Sequence, residues 1–176
     1  MESNLAVRIA SNPNLLKIIG QLKNPKFNIP NYDKDFKTLH SIKSADKGTL
    51  VSKVISPDDY QTQKLLIGMV QHCLDQTQEM NNELYAVQHS WKEIFNEASK
   101  YLHLTFFDEL NELKDGVRKS ILAAALHPIQ EGLDKLQYLI DRGEATYKHL
   151  NGTNWNIKES TLIIKEYLST LKYGQI

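Results

Sequence analysis

Cysteine occurs once in the 176 residues, at Cys73. An intrachain disulfide is therefore excluded, which fits a reducing compartment. Long apolar runs are also missing. The longest, residues 121–126, has six members, far short of the about twenty that a membrane-spanning helix needs. No basic stretch followed by an apolar one opens the chain, so no secretory leader is expected. Asn151-Gly152-Thr153 then reads as a helix-ending turn rather than a glycosylation site.

The familiar chemical signatures are equally scarce. The sequence contains no His-Glu-x-x-His, no Glu-x-x-His, no Walker loop, no dinucleotide fingerprint and no nucleophile elbow. No catalytic residue, cofactor or resident metal is expected, and the chain is read as a non-enzyme. The acidic group Asp108, Glu109, Glu112 and Asp115 lacks calcium-loop spacing and reads as a solvated helix face.

Net charge is zero, but it is unevenly spread. Residues 1–56 carry +5, residues 57–115 carry −7 and residues 116–176 carry +2. A basic arm and an acidic middle attract each other within a chain or between copies. The arm's lysines, among them Lys26, Lys34, Lys37, Lys43 and Lys47, are also candidate nucleic-acid contacts, with Tyr32, Phe36 and His40 interleaved for stacking.

What is abundant is helical patterning. No proline lies between Pro57 and Pro128, and Gly68 is the only glycine between Pro57 and Gly116. Ser56 is a good cap, Pro57 suits the first turn, and Asp58 and Asp59 suit the positive end of the helix dipole. Apolar positions then recur at alternating steps of four and three: Leu66, Val70, Cys73, Thr77, Met80, Leu84, Val87, Trp91, Ile94, Ala98, Tyr101. Only Thr77 is not apolar or aromatic. Such a seam must lie against something, and Leu66, Val70, Met80, Leu84, Val87, Trp91 and Ile94 are its candidate interaction residues. Near Leu65, Ile67, Met69 and Leu74 the seam widens, so this end is expected to be buried among several helices. Between residues 61 and 88 eight Gln or Asn side chains form uncharged flanks suited to packing against copies of the same helix.

A second seam runs Leu122, Leu126, Ile129, Leu133, Leu136, Ile140, Gly143, Tyr147, Leu150. Pro128 either kinks this helix or starts it. Asn151-Gly152 is expected to end it, with a last helix from Asn156 carrying Ile157, Ile164, Leu168 and Leu171. Thr105 is expected to cap a short helix through Lys114, followed by a turn at Asp115-Gly116. If the long helices run antiparallel with Tyr101 opposite Leu122, paired numbers sum to 223, and His149 falls near His72 and Cys73 as a conceivable ligand group.

Toward the N-terminus, residues 5–10 suit a helical turn or two. Asn12 and Pro13 start a helix with Leu15, Leu16, Ile18, Ile19 and Leu22 on one face. Residues 23–35 read as irregular, and residues 36–55 are open between helix and strand.

The expected fold is all-α: a helical bundle with a long heptad-patterned αα-hairpin and an irregular N-terminal arm, divided as an arm at 1–56 and a hairpin domain at 57–176. The expected function is a non-enzymatic assembly or adaptor protein that self-associates or docks a protein partner through its long helix. The alternative is an oligomeric subunit that handles nucleic acid. In plan alone, with no shared motif, the hairpin is similar to the small packaging subunits of tailed phages. No membrane partner is expected, and the setting is the cytoplasm or a viral assembly.

Overall fold

The computed structural model describes residues 2–44 and 55–173. Its element order is α1 (Glu2–Ala10), α2 (Pro13–Gln21), a 3-10 turn (Pro25–Phe27), α3 (Asp33–His40), α4 (Pro57–Thr105), α5 (Phe107–Asn111) and α6 (Asp115–Tyr173). The described residues contain no strand, and the long helices α4 and α6 pack against each other as an all-α hairpin.

Local chemistry explains the short helices. The Asn12 side chain accepts the Asn14 and Leu15 amides at 3.0 and 3.1 Å, with Pro13 at the first helical position. The same oxygen accepts the Tyr101 hydroxyl at 3.0 Å, and Asn14 Nδ2 donates to Tyr101 at 3.1 Å, so the cap also fastens α2 to α4. The Asn14 bond in particular holds the Tyr101 hydroxyl below the usual phenol range. Asn12→Ala is expected to cost about 1–2 kcal/mol, read as a fall of about 4 °C in Tm for a chain of this size.

Ser56 and Asp59 cap α4 reciprocally: the Asp59 carboxylate accepts the Ser56 amide at 2.8 Å while the Ser56 hydroxyl accepts the Asp59 amide at 3.4 Å. Three expected boundaries move. Thr105 is the last residue of α4 rather than a cap, and α5 starts after Phe106 with no side-chain cap bond. Asp115 opens α6 instead of turning the chain, with Lys119 Nζ 2.7 Å from its carboxylate. That bond and one from Arg118 hold Asp115 below the usual carboxylate range. Nor does α6 end at Asn151-Gly152. No glycine among the described residues has positive φ, and Leu150, Thr153, Asn154 and Ile157 are all buried. Tertiary burial there outweighs the roughly 1 kcal/mol helix cost of a glycine. Pro128 lies inside α6 on its exposed side, where the carbonyl that loses its amide donor is open to solvent.

By their contacts the residues fall into two units, one of Met1–Asn31 with Asn82–Ile140 and one of Tyr32–Asn81 with Asp141–Ile176. Each takes a share of the N-terminal segment and of both long helices. In the first, Leu84, Trp91, Ile94, Ala98 and Leu102 of α4 are buried along with Ile121, Leu126, Ile129, Leu133 and Leu136 of α6, and so are Ile9, Leu15 and Ile18 of the short helices. In the second, Leu39 of α3, Val70 and Leu74 of α4, and Leu150 and Ile157 of α6 form the core, flanked by Ile42, Leu66, Ile67 and Cys73.

Candidate functional site

Antiparallel register is visible within each unit. Gly132 faces the Trp91 indole and Gly143 faces the Asn81 amide. Gln88 Nε2 donates to Gln137 at 2.8 Å, and Asn154 Nδ2 to Gln71 at 3.4 Å. These pairs sum to 223–225, within two of the register expected from sequence. The seam itself is turned by one residue. Val70, Thr77, Leu84, Trp91, Ile94 and Ala98 are buried as expected, but Leu74, Asn81, Gln88 and Leu102 are buried where Cys73, Met80, Val87 and Tyr101 were expected. The latter four are half-buried. The widening at Leu74 is the one sign of this rotation in the sequence.

Of the candidate interaction residues, Val70, Leu84, Trp91 and Ile94 are therefore buried in the chain by itself, and Leu66, Met80 and Val87 are half-buried. Of the candidate nucleic-acid contacts, Lys26, Lys34, Lys37 and Lys43 are exposed. Lys37 is 2.8 Å from Asp33, and Lys47 lies outside the described residues. His149, expected near His72 and Cys73, contacts the end of α3 and the segment just after it. Its ring stacks on His40 at a centroid distance of 4.3 Å, and its Nε2 is 2.6 Å from the Ile42 carbonyl oxygen. Among the described residues no group of three His, Cys, Asp or Glu side chains is placed to hold a metal ion. No described helix is long and apolar enough to cross a membrane.

The feature that sequence reasoning missed is the contrast between the two units. In the first unit 21 apolar residues are buried against one buried polar residue, Gln88, which donates to Gln137 and accepts from Lys92. Among the described residues of the second unit seven apolar ones are buried: Phe36, Leu39, Val70, Leu74, Leu150, Ile157 and Ile164. Seven polar ones are buried with them: Gln63, Thr77, Asn81, Thr146, Thr153, Asn154 and Ser160. Three of their oxygens, Gln63 Oε1, Asn81 Oδ1 and Asn154 Oδ1, have no hydrogen-bond partner among the described residues, and such groups oppose folding. Meanwhile eight large apolar side chains of this unit are exposed, including Leu65, Met69, Trp155, Leu162, Ile163 and Tyr167. At the end expected to be buried among several helices, Val70 and Leu74 are buried but Leu65 and Met69 are exposed among the described residues.

The second unit also has an open groove of about 540 Å³ between the first turns of α4 and the last turns of α6, lined by Ile55, Pro57, Tyr60, Lys165, Leu168 and Lys172 among others. Lys64 Nζ sits 5.6 Å from the centre of the Tyr60 ring. The chain matches no family model, no characterised protein and no solved structure.

Proposed function

We propose that this chain is a non-enzymatic assembly or adaptor protein, one that works by covering helix faces rather than by transforming a small molecule. The observation that carries the reading is the second unit's composition: among its described residues, large apolar side chains are exposed about as often as they are buried. Single exposed apolar residues are ordinary on a soluble surface. A unit whose described interior is half polar while eight of its large apolar side chains face outward is not, and clusters of such side chains belong to interaction sites. A cytoplasmic setting, or one inside a viral assembly, goes with this function.

Amine-reactive cross-linking of the purified protein at tens of micromolar is the test. Covalent dimers or larger species are expected in good yield without any added component. A monomer band alone, at every concentration and with candidate partners absent, removes self-assembly from the reading.

A further inference from the structure

The helix pair of the second unit has two long flanks, and they differ in chemistry. Successive residues of an α-helix are about 100° apart, so Met69 and Gln71 lie on opposite sides of buried Val70. On α6, Ile163 and Tyr167 lie on one side of buried Ile164, while Asn154 and Lys165 lie on the other side of the Ile157–Ile164 row. The Asn154–Gln71 hydrogen bond places Asn154 and Gln71 on one shared flank. Met69, with Leu65 a turn before it, therefore shares the other flank with Ile163 and Tyr167.

The first flank is basic. It carries Lys64, Lys158, Lys165 and Lys172, all exposed. The second flank is apolar. Leu65 is 71% exposed, Met69 65%, Ile163 47% and Tyr167 42%. Its intervening positions are Thr62, Gln76, Asn156 and Thr170, all exposed and uncharged, and the exposed Asp58 in the same row as Leu65 and Met69, with Glu159 at the margin. The four apolar side chains together expose roughly 450 Å², about the size of the largest apolar patch on an ordinary monomer, which is often functional.

We infer that the Leu65, Met69, Ile163 and Tyr167 flank is covered by the same flank of a second copy of this chain. In a two-fold pairing every patch meets itself. The lysine flank would set four like charges against four, whereas the second flank carries only Asp58, and Glu159 at its margin, among uncharged side chains. Its Gln and Asn amides are at once donors and acceptors, so each can bond to its own counterpart. Two helix pairs joined this way form a four-helix layer in which both apolar rows are hidden. The inference rests on the assembly reading and names its surface.

Sedimentation velocity on four forms of the full chain decides it: wild type, Met69→Lys, Ile163→Lys, and Leu104→Lys in the other unit as a control, since Leu104 is also exposed. The wild type and Leu104→Lys are expected to dimerise alike. Met69→Lys and Ile163→Lys are each expected to weaken association at least tenfold, with thermal melts of the dilute monomers unchanged because both sites are exposed. Undiminished association of both variants, or loss in Leu104→Lys alone, overturns the named surface and leaves the assembly reading standing. A lowered monomer melt with association intact means that the flank is covered by its own chain, which also overturns it. A wild type that stays monomeric throughout removes both.

Discussion

Gly132→Ala is expected to destabilise the fold by about 3 kcal/mol, although alanine is the better helix former by roughly 1 kcal/mol. A Cβ at Gly132 would stand 1.8, 2.4 and 2.7 Å from three atoms of the Trp91 ring. The ring cannot swing aside cheaply. Its Nε1–H donates to the Phe27 carbonyl at 2.9 Å and the side chain is buried, so any rotation forfeits a buried hydrogen bond. Thermal denaturation should show a fall of about 10 °C. Gly68 and Gly152 are helical, and a methyl group at either would meet nothing within 4 Å, so their alanine variants should gain about 0.5–1 kcal/mol by propensity alone. The sign difference isolates the close approach. In a Trp91→Ala background the Gly132→Ala cost should vanish, because the two act as one contact. A neutral Gly132→Ala in the wild-type protein would mean that α4 and α6 do not meet there.

The second large effect concerns local stability. Burial of apolar area is the main stabilising term, and among the described residues the first unit buries three times as many apolar side chains as the second. The second also holds the three buried oxygens without a partner. In the monomer, amides around Val70 and Ile157 should therefore open more readily than those around Trp91 and Ile129, by about 2 kcal/mol or some thirtyfold in exchange rate. Hydrogen exchange followed by mass spectrometry at low micromolar concentration reads this directly. Equal protection in the two units would show that the polar residues inside the second are not a weakness.

Most of the architecture was legible because it rests on the spacing of apolar residues. Steps of four and three from Leu66 to Tyr101 and from Leu122 to Leu150 require long helices with a hidden stripe, and an antiparallel pairing follows from the short stretch between them. Even the register is recovered to within two residues by Trp91–Gly132 and Gln88–Gln137. Less local features were not legible. A stripe two residues wide in every heptad leaves its rotation to the partner helix, and here the partner draws Asn81 and Gln88 inward where Met80 and Val87 were expected. Gly152 follows Asn151 as a helix end would, but burial of Leu150, Thr153 and Ile157 on both sides carries the helix through. The candidate site was half legible. The apolar excess around Leu65 and Met69 was plain in the sequence, but only the fold shows that nothing within the described chain covers it. The polar interior opposite was hidden because Gln63, Asn81 and Gln88 look like solvent-facing amides.

The polar interior bears on specificity. Buried Asn and Gln side chains in helix bundles fix register at a cost in stability, and Asn81 fits only because Gly143 leaves room for its amide. Such a design tolerates a weak monomer when another copy supplies the missing burial.

Light scattering on the wild-type protein, eluted from a sizing column at high micromolar loading, tests that idea most directly. The chain mass is 20.2 kDa. A peak at an integral multiple of that mass, shifting toward the single-chain value on dilution, is the expected result. A peak fixed at the single-chain mass across the whole concentration range would contradict it.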